Sequence, residues 1–124
     1  YQVRMRNGYE IDSLIYSFYN SVTLLFSEID GRFYGGGVLE LTPSEFKALP
    51  LVYQTPSKDE YSSFLERFST RAGCDAEKFG FEDEWLRHKL QMSNAEMSKI
   101  KNALKIIRSH RLRHGHSNTS AAIF

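Results

Sequence analysis

Between Glu10 and Ile29 the apolar residues Ile11, Leu14, Ile15, Phe18, Val22, Leu25, Phe26 and Ile29 recur at helical spacing. Steps of three and four residues put them on one side of a helix, so the pattern predicts a single long amphipathic helix with that side buried. Asp30-Gly31 supplies its stop. A helix of this kind needs a second layer to cover its apolar face. The next residues offer one: Arg32 to Tyr34 and Val38 to Leu41 are β-prone and flank Gly35, Gly36 and Gly37. They read either as two strands of a hairpin or as one strand approached by a glycine turn. Ahead of the helix, Tyr1, Val3 and Met5 alternate with polar neighbours, as in a short edge strand.

The remainder reads as helices with written starts. Thr42-Pro43-Ser44-Glu45 combines a capping threonine, a proline at the first helical position and a glutamate three residues after the cap. Pro50 keeps that helix short. Ser57 with Glu60 and Ser93 with Glu96 repeat the capping box. The first opens a helix with Tyr61, Phe64, Leu65 and Phe68 on one face and Gly73 past its end. The second opens a closing helix with Met97, Ile100, Leu104 and Ile107 on one face, expected to fade near Gly115. Phe81, Trp85, Leu86 and Leu90 mark a short helix between them. The fold class is therefore α+β and mainly helical: one long amphipathic helix, a small glycine-rich β element and several C-terminal helices. Residues Val52 to Pro56 form a connector, with a possible sub-boundary near 51–57 within a single segment spanning 1–124.

A net charge of +1 conceals an asymmetry. From Asp75 to Glu84 there are five acids against one lysine, while Lys101 to His116 carries five Lys/Arg, three His and no acid. The basic end suits either a polyanion or a solvated helix terminus favoured by the helix dipole. No window approaches 18 consecutive apolar residues, so no membrane partner is expected. No charged start is followed by an apolar run, so no secretory leader is expected. The single cysteine, Cys74, fits a reducing cytoplasm.

The informative run is Asn20-Ser21, followed by Gly31-Arg32-Phe33-Tyr34-Gly35-Gly36-Gly37-Val38-Leu39-Glu40-Leu41-Thr42-Pro43-Ser44-Glu45-Phe46-Lys47-Ala48-Leu49-Pro50. Three successive glycines permit positive φ and close backbone approach, and their amides can form an anion nest. The alternative is a tight hairpin tip packed on the long helix, with no ligand. This run resembles the C-terminal, target-recognition region of adenine-N6 DNA methyltransferases of restriction–modification systems. The likeness spans about residues 14–113 and is specific between Asn20 and Pro50. It implies a segment of a larger protein whose upstream catalytic domain binds S-adenosylmethionine and methylates an adenine swung out of double-stranded DNA. On that resemblance the DNA contacts fall to Arg32, Tyr34, Gly35, Gly36, Gly37, Ser44 and Lys47, with Arg108, Arg111 and Arg113 as electrostatic support.

The family's catalytic tetrapeptide, Asn-Pro-Pro-Tyr or Asn-Pro-Pro-Phe, does not occur in the sequence. Phe33-Tyr34-Gly35-Gly36-Gly37 matches the family's Phe-x-Gly-x-Gly cofactor motif by letter. A cofactor loop of that kind opens a helix, whereas these glycines run into β-prone residues. No catalytic, cofactor or metal residues are therefore assigned in this segment, and S-adenosylmethionine belongs to the parent enzyme. His110 and His114 have zinc-binding spacing, with His116 close by, but arginines surround them and no cysteine or carboxylate ligand lies in the stretch. Cys74 lacks an identifiable base. Glu82, Asp83 and Glu84 are consecutive and read as a solvated face, Trp85 as core. Asn20, polar within an apolar stretch, must find hydrogen-bond partners, for which the glycine loop is the nearest candidate. Two other functional classes stay open: a protein-interaction module docking through its aromatic helix face, and part of a fused restriction endonuclease–methyltransferase.

Overall fold

The computed structural model describes residues 2–34, 38–69 and 83–123, with backbone alone for Tyr34 and 114–123. In chain order the described elements are α1 (Ile11–Phe18), α2 (Ser21–Asp30), β1 (Arg32–Tyr34), β2 (Val38–Glu40), α3 (Pro43–Ala48), α4 (Lys58–Ser69), α5 (Asp83–Lys89) and α6 (Asn94–Ile123). The strands pair antiparallel with Arg32 opposite Glu40, Phe33 opposite Leu39 and Tyr34 opposite Val38. The fold is α+β and mainly helical, and the β element is a hairpin.

The predicted long helix is in fact two. Tyr19 leaves the helical region and Asn20 adopts an extended conformation, φ −131° and ψ 160°, as the N-cap of α2. Its side-chain oxygen accepts from the Thr23 amide at 2.8 Å, and its amide nitrogen donates to Ser17 O at 2.8 Å and Thr23 Oγ1 at 3.1 Å. Asn20 thus joins the end of α1 to the start of α2, and its partners are these rather than the glycine loop. Apolar periodicity cannot register such a break, because the cap falls between two helices that share a spacing.

The buried side also differs from the expected one. Ser13, Tyr16, Ser17, Asn20, Ser21, Thr23, Leu24 and Ser27 are buried, while Ile11, Ile15, Phe26 and Ile29 are exposed by 47, 37, 41 and 55%. Small hydroxyls can be buried because each finds a partner, which removes most of their desolvation cost. Ser17 Oγ accepts from the Gln54 amide at 2.7 Å, and Thr23 Oγ1 donates to Pro50 O at 2.9 Å. These bonds lay the 50–56 connector against α1 and α2.

Asp83 completes the same junction. It is 4% exposed, and its carboxylate accepts from the Ser21 amide at 2.6 Å and from Ser21 Oγ at 2.7 Å. This corrects the solvated-face reading for Asp83, which ties α5 to the first turn of α2; its neighbour Glu84 is exposed and pairs with Arg87 at 2.7 Å. Burial pushes the Asp83 carboxyl above its ordinary value, against the two Ser21 hydrogen bonds and Lys101 at 3.7 Å.

All three capping boxes form, with reciprocal bonds between Thr42 and Glu45, Ser57 and Glu60, and Ser93 and Glu96. Phe64 of α4 is 1% exposed and sits among Tyr16, Tyr19, Tyr61 and Phe68. Burying a ring of this size stabilises by about 1.5–3 kcal/mol. Trp85 stacks on Tyr16 at 6.1 Å. Met97 and Leu104 of α6 are both 3% exposed, on the predicted face, and α6 packs chiefly on α2.

Two further expectations change. The backbone of α6 continues through Gly115 to Ile123; a helical glycine costs only about 1 kcal/mol, and no proline follows to stop the helix. Residues 2–10 form no strand, and Gly8 turns the chain with φ +88°. The readings placed on Gly35, Gly36, Gly37, Gly73, Cys74, Phe81 and Glu82, and on the side chains of Tyr34, His114 and His116, lie outside the described residues. Among the described residues no helix is long and apolar enough to cross a membrane.

Candidate nucleic-acid interface

The hairpin leaves α2 through a tight joint. A Cβ on Gly31 would lie 2.6 Å from Ser27 O, 2.8 Å from Leu39 Cδ1 and 3.1 Å from Leu41 Cδ2. Gly31 therefore lets β1 start directly against the last turn of α2 and the strand that returns beside it. Arg32 follows at once, and its Nε lies 3.3 Å from Glu45 Oε1. Glu45 is the third residue of α3 and also closes the Thr42 capping box, so one carboxylate braces hairpin to helix. Its carboxyl is held below the ordinary value, first by the hydrogen bond from the Thr42 backbone, with Arg32 adding to the effect. The Arg32 side chain keeps 65% of its surface in solvent.

Helix α3 is anchored from below by Phe46, whose ring stacks on Phe18 of α1 at 5.9 Å, and by buried Leu49. Ser44 and Lys47 face outward. Beside α3 the N-terminal arm encloses a groove of about 720 Å³ lined by Gln2, Val3, Arg4, Arg6, Leu41, Pro43, Phe46 and Lys47. Its rim carries three cations. None of Arg4, Arg6 and Lys47 forms an ion pair among the described residues. Sequence reasoning missed Arg4 and Arg6; the only signal was two arginines alternating with apolar residues, which suggested a strand instead.

The basic C-terminal end is arranged differently. Glu28 of α2 has a side chain only 3% exposed, and Arg111 of α6 donates to both its oxygens at 2.8 Å. Arg108 lies 3.5 Å away on the same carboxylate. The side chains of Arg108 and Arg111 are 12 and 13% exposed, which makes them an interhelical clamp. Arg113 alone of the three faces solvent, with its Nε on Ser109 O of its own helix at 3.4 Å. Among the predicted site residues, the structure thus brings Arg32, Ser44 and Lys47 together around α3 and sets Arg108 and Arg111 apart on Glu28.

The family model for the C-terminal domain of the Type II methyltransferase M.Eco57I matches residues 1–76, which include the arm, the hairpin and helices α1 to α4. The chain belongs to that family and is the C-terminal region of a restriction–modification methyltransferase. Searches of curated proteins and of solved structures gave no match.

Proposed function

We propose that this chain is the DNA-reading part of an S-adenosylmethionine-dependent adenine-N6 DNA methyltransferase acting in the cytoplasm, with methyl transfer carried out by the upstream catalytic domain. The observation that carries the reading is the content of the family-matched segment: within residues 1–76, Arg32, Ser44 and Lys47 stand exposed on a hairpin–helix unit joined by the Arg32–Glu45 pair. Donors fixed on such a unit suit duplex DNA, where phosphate contacts set register and base-edge contacts set sequence. Tyr34 and the amides of Gly35 to Gly37, which lie between Phe33 and Val38 in the sequence, are assigned to the same DNA contact. Arg113 adds exposed positive charge, whereas Arg108 and Arg111 serve this function by holding α6 to α2.

The run Phe33 to Gly37 is a poor match to a cofactor loop. The glycines lead into β2, which pairs back on β1, whereas a cofactor loop opens a helix whose N-terminus faces the ligand. That supports leaving S-adenosylmethionine to the catalytic domain, and no chemical step is assigned here. Ile11, Ile15, Phe26 and Ile29, exposed at helical spacing on α1 and α2, support a docking face for that domain.

The test is a methylation assay with the full-length protein, labelled S-adenosylmethionine and duplex DNA, followed by digestion to nucleosides. N6-methyladenosine is the expected product. Methylation of cytosine alone would overturn the adenine assignment. Replacing Arg32, Ser44 and Lys47 by alanine should raise KM for DNA by more than it lowers kcat, because these residues bind rather than react. A fall in kcat at unchanged KM would contradict the assignment.

A further inference from the structure

We infer that the groove between the N-terminal arm and α3 seats one sugar-phosphate strand of duplex DNA, held by Arg4, Arg6 and Lys47. The inference rests on the DNA-reading function above and extends it to a surface outside the hairpin. Arg32 pairs with Glu45, Arg87 with Glu84, Lys101 with Asp83, and Arg108 and Arg111 with Glu28. Arg4, Arg6 and Lys47 share one groove and have no carboxylate partner among the described residues.

Three like charges converging on a concave surface raise its potential and draw anions to it. The walls between them are apolar, formed by Val3, Leu41, Pro43 and Phe46, which suits deoxyribose lying between charged phosphates. Arginine adds forked donors matched to phosphate oxygens, while lysine acts as a point charge. Arm and helix approach from two sides, so the groove is a channel for a strand rather than a socket for a single ion. Lys47 also belongs to the α3 face already assigned to DNA, which makes channel and hairpin face parts of one surface.

Contacts of this type position the duplex without reading its sequence. The experiment is fluorescence anisotropy on the full-length protein with cognate and scrambled duplexes across a salt series. The slope of log affinity against log salt should flatten by up to about 2.7 units in R4A/R6A/K47A, at about 0.9 per phosphate contact, equally for both duplexes. R4K/R6K/K47R should keep the parent slope, since it keeps all three charges. All three side chains are exposed, so both variants should unfold as the parent does in a thermal melt. An unchanged slope in R4A/R6A/K47A, with the parent binding duplex normally, would overturn the groove and leave the hairpin reading to Arg32 and Ser44. So would a loss confined to one of the two duplexes, or an equal loss in R4K/R6K/K47R. If the parent protein binds no duplex at all, the proposed function fails and the groove fails with it.

Discussion

Two basic clusters, one along the end of α6 and one shared between the arm and α3, are used by the fold in opposite ways. Arg108 and Arg111 belong to the longer and more conspicuous one, yet their guanidiniums are drawn onto Glu28 and largely removed from water. Arg4, Arg6 and Lys47 are sparse in the sequence, yet they converge on one open groove without a carboxylate to answer them. Charge density along a chain therefore says little about where a polyanion would be held. What matters is whether an acid has drawn the cation out of water, as Glu28 does Arg108 and Arg111, or only braces it at the surface, as Glu45 does Arg32.

The largest expected effect breaks the clamp. Glu28→Ala leaves two largely covered guanidiniums without their carboxylate, and losing one side of a buried pair costs about 3–5 kcal/mol. Urea unfolding of the full-length protein should show that drop, with the salt dependence of DNA binding little changed in whatever fraction stays folded. A loss below about 1 kcal/mol would mean that the clamp behaves as an exposed pair.

Next in size is the joint that aims the hairpin. Gly31→Ala forces a methyl group into space held by Ser27 O, and overpacking of this kind costs about 1–3 kcal/mol. DNA affinity should fall along with stability, because the joint carries Arg32. Tolerance of alanine in both assays would show that the backbone can move aside.

Asn20→Ala removes an N-cap and should cost about 1–2 kcal/mol in the same unfolding experiment. Asn20→Asp should recover part of the loss, since a carboxylate can still accept from the Thr23 amide. Equal losses for the two variants would assign the effect to the bonds donated to Ser17 and Thr23 instead.

The smallest effect is one of pH. The Asp83 carboxyl is raised in the folded state by burial, so its protonated form favours folding. That contribution is full below its unfolded value and is lost as pH rises through the folded one. Asp83→Asn stays neutral, so its stability relative to the parent should improve from about pH 4 towards neutrality. A difference that is flat over that range, or that reverses, would show that the Ser21 bonds and Lys101 outweigh burial.

What could be read from the sequence was local. Each capping box needs only a hydroxyl and a glutamate three residues apart, and all three formed. The hairpin was legible from β-prone flanks around glycine. The failures share a different cause. Asn20 was recognised as odd, but its partners lie in the neighbouring helical turns, where the apolar spacing hid a boundary. The buried hydroxyls of Ser17, Ser21 and Thr23 depend on Gln54, Asp83 and Pro50, dozens of residues away. The fate of Arg111 depends on Glu28, 83 residues distant. The groove required α3 to fold back against an arm that looked like a strand. Long-range pairing of polar groups leaves no period in a sequence, and it decided which cations stayed available.

The contrast between the clusters can be tested in the unaltered protein by arginine-specific modification with phenylglyoxal, read residue by residue by mass spectrometry, with and without cognate duplex. Arg4 and Arg6 should react readily in the free protein and be protected by duplex. Arg108 and Arg111, held on Glu28, should react slowly in both conditions. If duplex instead protects Arg111 while Arg4 and Arg6 react equally with and without it, the two clusters have the reverse of the roles described, and the account is wrong.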